Sequence, residues 1–250
     1  MTAAALSHAK AAFTPQEEAQ RSVRSRKLIT YLLLFAIVMF FAGLTSAYLV
    51  SRSSADYWVI IALPQAFYFS TAFILLGSAT MYGALWAARR GKRSLILPML
   101  GMTLLLGIGF GRYQWQGWSE LHEKGNFFSF SNVLQPSGMY GTDYLIEMNG
   151  VPLVNEGGQF FLPDDVARTR PLNADMAEQV NGASQYLYML TWAHFAHVAF
   201  GFLSLVVMLV MAGLGRYTTT DHVGLWAGGL YWHFLGGLWV YLLLFLLFVH

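Results

Sequence analysis

Five stretches of this chain are each about 20 residues long or more and almost wholly apolar, enough for a helix rising 1.5 Å per residue to cross roughly 30 Å of hydrocarbon. They cover residues 28–50, 66–88, 94–113, 184–213 and 224–249. In a bilayer each backbone N–H and C=O must find its partner within its own segment, so such runs fold as helices. The expected fold is therefore all-α: a polytopic membrane bundle of five transmembrane helices. The first run exceeds the roughly 7 to 15 apolar residues of a cleavable leader and is expected to be retained as a span. Pro64 opposes an earlier start to the second helix, which places residues 58–65 at the interface. The third run is the weakest, with Gly101, Gly107, Gly109 and Gly111 permitting close helix contact and Arg112 at its end.

Composition closes several other routes. Charged residues make up 11% of the chain, against about 25% in soluble domains. Cysteine is absent, which excludes disulfides, thiolate metal sites and haem attachment through Cys. A net charge of +2 gives no reason to expect nucleic acid.

Charge placement predicts orientation. Arg21, Arg24, Arg26 and Lys27 precede the first span and Arg89, Arg90, Lys92 and Arg93 follow the second, while the loop between them holds only Arg52. The positive flanks belong on the inside, so residues 1–27 form a cytoplasmic tail and five crossings leave the C-terminus extracytoplasmic. Residues 114–183 are then a long extracytoplasmic loop, with 9 acidic residues against Lys124, Arg168 and Arg170. Within it, 144-YLIEMNGVPLV-154 sets Asn149-Gly150 between two apolar runs, the pattern of a tight β-hairpin. A hairpin ornament is expected there rather than a folded domain.

All 13 Asp and Glu lie outside the five spans. A proton pump or antiporter normally needs a carboxylate at membrane depth, so the chain is not expected to pump protons alone. The ionisable groups at depth are His194, His197 and His233. His194 and His197 are about 60° apart in helical projection and share a face. Two histidines without a third ligand make a poor metal site, and an axial haem pair would need two helices, for example His197 with His233. The other use is structural, each imidazole bonding a group on a neighbouring helix. Gln114 and Trp118, at i and i+4 where the third span leaves the membrane, read as an interhelical hydrogen bonder and a belt aromatic. Arg89, Arg90, Lys92 and Arg93 read as a topology signal and as a candidate site for anionic lipid headgroups. No Walker, Rossmann, nucleophile-elbow or His-Glu-x-x-His pattern is present, and nothing points to catalysis within the chain.

Several of these residues carry a family resemblance. The run 192-WAHFAHVAFG-201, with His194, His197 and Gly201, resembles the G-F-H-G-x-H-V-x-x-G segment of subunit III of the haem-copper oxidases. The run 231-YWHFLGGLW-239, with Trp232, His233 and Trp239, resembles its closing Y-W-H-F-V-D-x-x-W. The first span, 38-VMFFAGLTSAYL-49 with Tyr48, is similar to V-M-F-F-A-x-F-W-A-Y, and Gln114 with Trp118 falls where the family has its Gln and a following acidic-aromatic pair. The resemblance implies an all-helical subunit with no cofactor of its own, beside subunits I and II that bear haem and copper, with a small subunit IV as a further partner. Its implied roles are to hold phospholipid, support proton uptake and protect the catalytic subunit. Ala36-Ile37 stand in place of the family's Ser-Glu and Gly236 in place of the closing acid, so no role of those acids carries over. Five spans match the short bacterial form, which lacks the first helix pair.

The expectation is a noncatalytic subunit III of a respiratory cytochrome c oxidase in the bacterial cytoplasmic (inner) membrane. A quinol oxidase is the alternative within the family; a b-haem electron carrier or a small-solute transporter is the alternative outside it. The acidic loop is longer than expected for the family, and offers a docking surface for an extracytoplasmic cytochrome or a larger respiratory supercomplex.

Overall fold

The computed structural model describes residues 14–128, 134, 136–219 and 221–249. Residues 1–13 of the expected tail, and 129–133 and 135 of the expected loop, lie outside the described residues. The element order is α1 (Pro15–Ser54), β1 (Tyr57–Ile61), α2 (Gln65–Arg89), α3 (Arg93–Glu123), β2 (Tyr144–Met148), β3 (Val151–Pro152), β4 (Val154–Glu156), β5 (Gln159–Phe161), α4 (Asn173–Ala177), α5 (Gly182–Gly213) and α6 (Val223–Phe248). Among the described residues five helices, all but α4, are long and apolar enough to cross a membrane.

α1 has 40 residues, a length of about 60 Å, and so overruns the hydrocarbon. Its start lies well before the apolar run and is set locally. Thr14 accepts from the Glu17 N–H while the Glu17 carboxylate accepts from the Thr14 N–H at 2.8 Å, and Pro15 occupies the first turn. At the other end of the chain α6 is the axis of the bundle. It packs on α1, α2 and α5, and half of its most apolar window is buried, against 17% for α1, which packs chiefly on α5 and α6.

α2 and α3 form the closest pair, because glycines on α3 seat aromatic rings. A Cβ at Gly109 would fall 2.5 Å from the Phe73 ring, one at Gly117 2.3 Å from Phe67, and one at Gly107 2.7 Å from Phe202 of α5. Gly101 has nothing within 4 Å, so the expected glycine contact face is realised at only some of its positions.

The segment after α3 is more than a hairpin. Asn149 and Gly150 both take left-handed conformations (φ 50° and 80°), and β2 pairs with β3 across them. β2 pairs also with β1, in the register Tyr57↔Met148, Val59↔Ile146 and Ile61↔Tyr144. Residues 58–61 of the stretch expected at the interface thus belong to a strand, with Trp58, Val59 and Ile61 buried against the rest of the protein. The apolar, β-branched run W-V-I-I suits a strand, but its partner, Tyr144–Met148, lies far along the chain and leaves no local signal. β4 and β5 make a second hairpin, and Leu134, Leu153, Phe161, Leu172 and Met176 are buried within this module.

Candidate functional site

Phe41, His194, Gly201, Trp232 and Trp239 of the three resembling runs, together with Gln114, come together in the bundle core. His194 is fully buried on α5 and lies against Trp239 of α6, ring centroids 5.3 Å apart and planes 29° from parallel. Phe41 of α1 and Phe110 of α3 meet the same imidazole edge-on at 6.4 and 6.1 Å. Four helices thus converge on one ring. Gly201, two turns further along α5, lets α6 approach, since a Cβ there would stand 3.0 Å from Leu235 and 3.6 Å from the Trp232 ring.

A layer of hydrogen bonds crosses the bundle around this contact. Gln114 donates to Ser70 Oγ at 3.1 Å, joining α3 to α2. Trp239 Nε1 donates to Thr71 Oγ1 at 2.9 Å, joining α6 to α2. Trp118 Nε1 donates to Thr191 Oγ1 at 3.1 Å, joining α3 to α5. Tyr231 donates to the His197 carbonyl at 2.9 Å, joining α6 to α5. Polar pairs of this kind hold helices together where lipid removes the hydrophobic incentive.

The imidazoles themselves behave differently from the expectation that each would bond a neighbouring helix. His197 Nδ1 lies 2.6 Å from the Ala193 carbonyl of its own helix, and its ring packs on Phe41 and Phe40. Neither nitrogen of His194 has a hydrogen-bond partner among the described residues, so its contribution is ring packing. His233 is half-buried on α6 and makes no ring contact with the other two among the described residues. No group of three or more His, Cys, Asp or Glu is placed to hold a metal ion among the described residues.

Tyr48, fully buried, is a second node. Its ring meets Trp58 of β1, Tyr186 of α5 and Phe245 of α6 edge-on at 5.2 to 5.6 Å. Nearby, Arg52 bonds the Val249 carbonyl and pairs with Glu147 of β2 at 3.5 Å, tying α1 to the end of α6 and to the sheet. In the sequence Arg52 is the one cation of the loop between the first two spans, and its two partners, Val249 and Glu147, lie too far along the chain to be read from that position.

The opposite end carries the basic turn. Arg89, Arg90, Lys92 and Arg93 are exposed, and Arg90 and Lys92 both lie over the Trp86 ring, at 4.6 and 4.9 Å. Lys27 lies over Trp226 at 5.3 Å. Such cation–π contacts anchor the cations at the level of the ring.

The acidic segment is partly neutralised by three of its own cations and by Arg52 of α1. Four of its acids are paired: Glu147 with Arg52, Asp143 with Lys124 at 2.9 Å, Glu156 with Arg168 at 2.7 Å, and Asp175 with Arg170 at 3.8 Å. The Lys124 ammonium holds the Asp143 carboxyl below its usual range, and the Arg168 guanidinium does the same for Glu156. Backbone N–H groups of Arg170 and Thr169 lower Asp165.

These features define a multi-pass membrane helix bundle whose conspicuous polar and aromatic side chains join helices to one another. No family model matches the chain. It is 38% identical over 55 residues to cytochrome c oxidase subunit 3 of Alkalihalophilus pseudofirmus, covering 22% of this chain and 27% of that protein. It is 36% identical over 69 residues to cytochrome c oxidase subunit 3 of a Synechocystis species, covering 27% of this chain and 30% of that one. The matches span less than a third of either relative's length, and they support a relationship of this chain to the subunit III family.

Proposed function

We propose that the chain is the subunit III of a bacterial respiratory cytochrome c oxidase, an accessory subunit that holds and protects the catalytic one. The observation that carries this reading is the convergence of the family-like residues. His194, Gly201, Trp232 and Trp239 pack upon one another, while Gln114 and Trp118 bond to adjacent helices. Groups that would bind a substrate or relay protons are expected to face a cavity; His194, Trp232 and Trp239 instead face other side chains of the core. In this proposal the basic turn is cytoplasmic and the sheet module extracytoplasmic, haem and copper reside in subunits I and II, and phospholipid fills the bundle surface. Asp164 and Glu178, exposed and outside ion pairs among the described residues, are the surface for an extracytoplasmic partner.

The test is to prepare the membrane complex with and without this chain in the same lipid. Initial oxygen consumption is expected to persist without it and to decay faster over repeated turnovers, with the haem spectrum unchanged. Immediate and complete loss of oxygen reduction with an intact haem spectrum would overturn the accessory role. Supplying a reduced cytochrome or a quinol to the intact complex identifies the donor.

A further inference from the structure

A cavity of about 690 Å³ lies outside the packed core. It opens sideways between α3 and α5 and is lined by Trp115, Trp118, Tyr188, Trp192 and Phe195. Ser119, His122 and Glu123 complete the lining on the α3 side. The apolar run of α3 ends at Tyr113, so Trp115 to Glu123 rise about 3 to 15 Å beyond it, from the edge of the hydrocarbon into the headgroup layer.

The walls are built rather than incidental. Trp118 is held by its bond to Thr191, and the Tyr188 hydroxyl donates to the Asn126 carbonyl at 2.9 Å. Trp118 stands 84° from Trp192 and 83° from Phe195, and Tyr188 stands 71° from Trp192. Aromatic rings set near right angles to one another thus wall the cavity. Trp115 and Trp192 remain 67% and 45% exposed, so a ligand can reach the cavity from the side.

The charge of the lining selects among amphipathic ligands. Glu123 is acidic, and no Lys or Arg lines the cavity. The nearest cation in sequence, Lys124, pairs with Asp143. An anionic headgroup would find no counter-charge there. An ammonium group would find both a carboxylate and the faces of indole rings, the combination that recognises choline-like cations.

We propose that this cavity binds the ammonium-bearing headgroup of a membrane lipid, a phosphatidylethanolamine or phosphatidylcholine, in the leaflet on the sheet side. The acyl chains then run down the groove between α3 and α5. This site is separate from the basic turn at Arg89–Arg93, which lies at the other end of the bundle and suits anionic headgroups. The full chain, with whatever subunits accompany it, would be reconstituted in vesicles of equal parts phosphatidylethanolamine, phosphatidylcholine and phosphatidylglycerol. It would then be re-extracted under mild conditions and its retained lipid measured by mass spectrometry.

The retained pool should be enriched about threefold in the two ammonium lipids over phosphatidylglycerol, as an exposed cation–π contact implies. Glu123→Gln and Trp115→Leu, both at exposed positions, should each remove the enrichment while leaving helical content unchanged. Equal retention of all three lipids, enrichment that survives both substitutions, or a cavity found covered by a partner subunit with no lipid retained would each overturn the proposal. Loss of the oxidase reading would leave this result standing, since it depends on the chain alone.

Discussion

A methyl group added at Gly117 has no free space to occupy. Built on the backbone, the new Cβ stands 2.3 Å from Cε1 of Phe67, 2.7 Å from Cδ1 and 3.1 Å from Cζ. Phe67 is fully buried and meets Trp239 edge-on at 5.6 Å, so its ring can retreat only by displacing the indole that covers His194. Overpacking of this severity costs about 3 kcal/mol, and the better helix propensity of alanine offsets about 1 kcal/mol, leaving Gly117→Ala about 2 kcal/mol less stable. Gly101→Ala is the control: nothing lies within 4 Å of its Cβ, so only the propensity gain remains, about 0.5 to 1 kcal/mol. Both variants would be unfolded in mixed micelles by titrating a denaturing detergent, followed by circular dichroism. Adding Phe67→Leu to Gly117→Ala should recover part of the loss. Shifts of equal sign and size for the two glycines would refute the seating of Phe67 on α3.

The chain lacks cysteine, so single cysteines report topology cleanly: one at Thr142 should react with an impermeant reagent in intact cells and one at Arg90 only after lysis, and the reverse pattern would invert the orientation. His194→Leu should change stability by no more than about 1 kcal/mol, because the lost ring stacking is balanced by removing two buried nitrogens without partners; a loss above about 3 kcal/mol would reveal a bond the packing does not explain. Thr191→Val should cost about 0.6 kcal/mol through the lost Trp118 bond and nothing further in a Trp118→Phe background, measured in the same titration. Asp143, Glu156 and Asp165 have lowered folded-state pKa values. Their contribution is therefore complete above the unfolded carboxylate value near pH 4 and lost as pH falls through the folded values. Hydrogen-exchange protection factors over residues 139–170, each taken against the intrinsic rate at that pH, should fall below about pH 4, and protection that stays constant down to about pH 2 would contradict the ion-pair account.

The five spans were legible because length and apolar character are local properties. The early start of α1 was legible too, in the Thr14-Pro15-Gln16-Glu17 cap, but a search for apolar runs passes over it. β1 was not legible: Tyr57–Ile61 becomes a strand only through Tyr144–Met148, and the intervening helices carry no record of that pairing. The candidate site divides in the same way. Side-chain chemistry marked Gln114, Trp118 and the histidines as worth following, whereas their partners Ser70, Thr191 and Trp239 lie on other helices and depend on rotation and depth. The nine acids of residues 114–183 could be counted, but which of them a cation answers is a matter of folding, as Arg52 and Glu147 illustrate.

The three-stranded sheet also orders the birth of the molecule. β1 leaves the ribosome roughly 80 residues before β2, so at about 5 to 20 residues per second it waits on the order of 4 to 16 seconds for its partner. During that interval α2 must enter the bilayer and α3 must return through it, and the backbone of a buried strand stands open at the membrane surface. An unpaired edge of this kind is what aggregation and stray pairing exploit. Closure of the sheet is therefore a checkpoint: it can occur only when the third helix has crossed in the correct direction, and a misrouted chain is left with a raw strand for quality-control proteases to find.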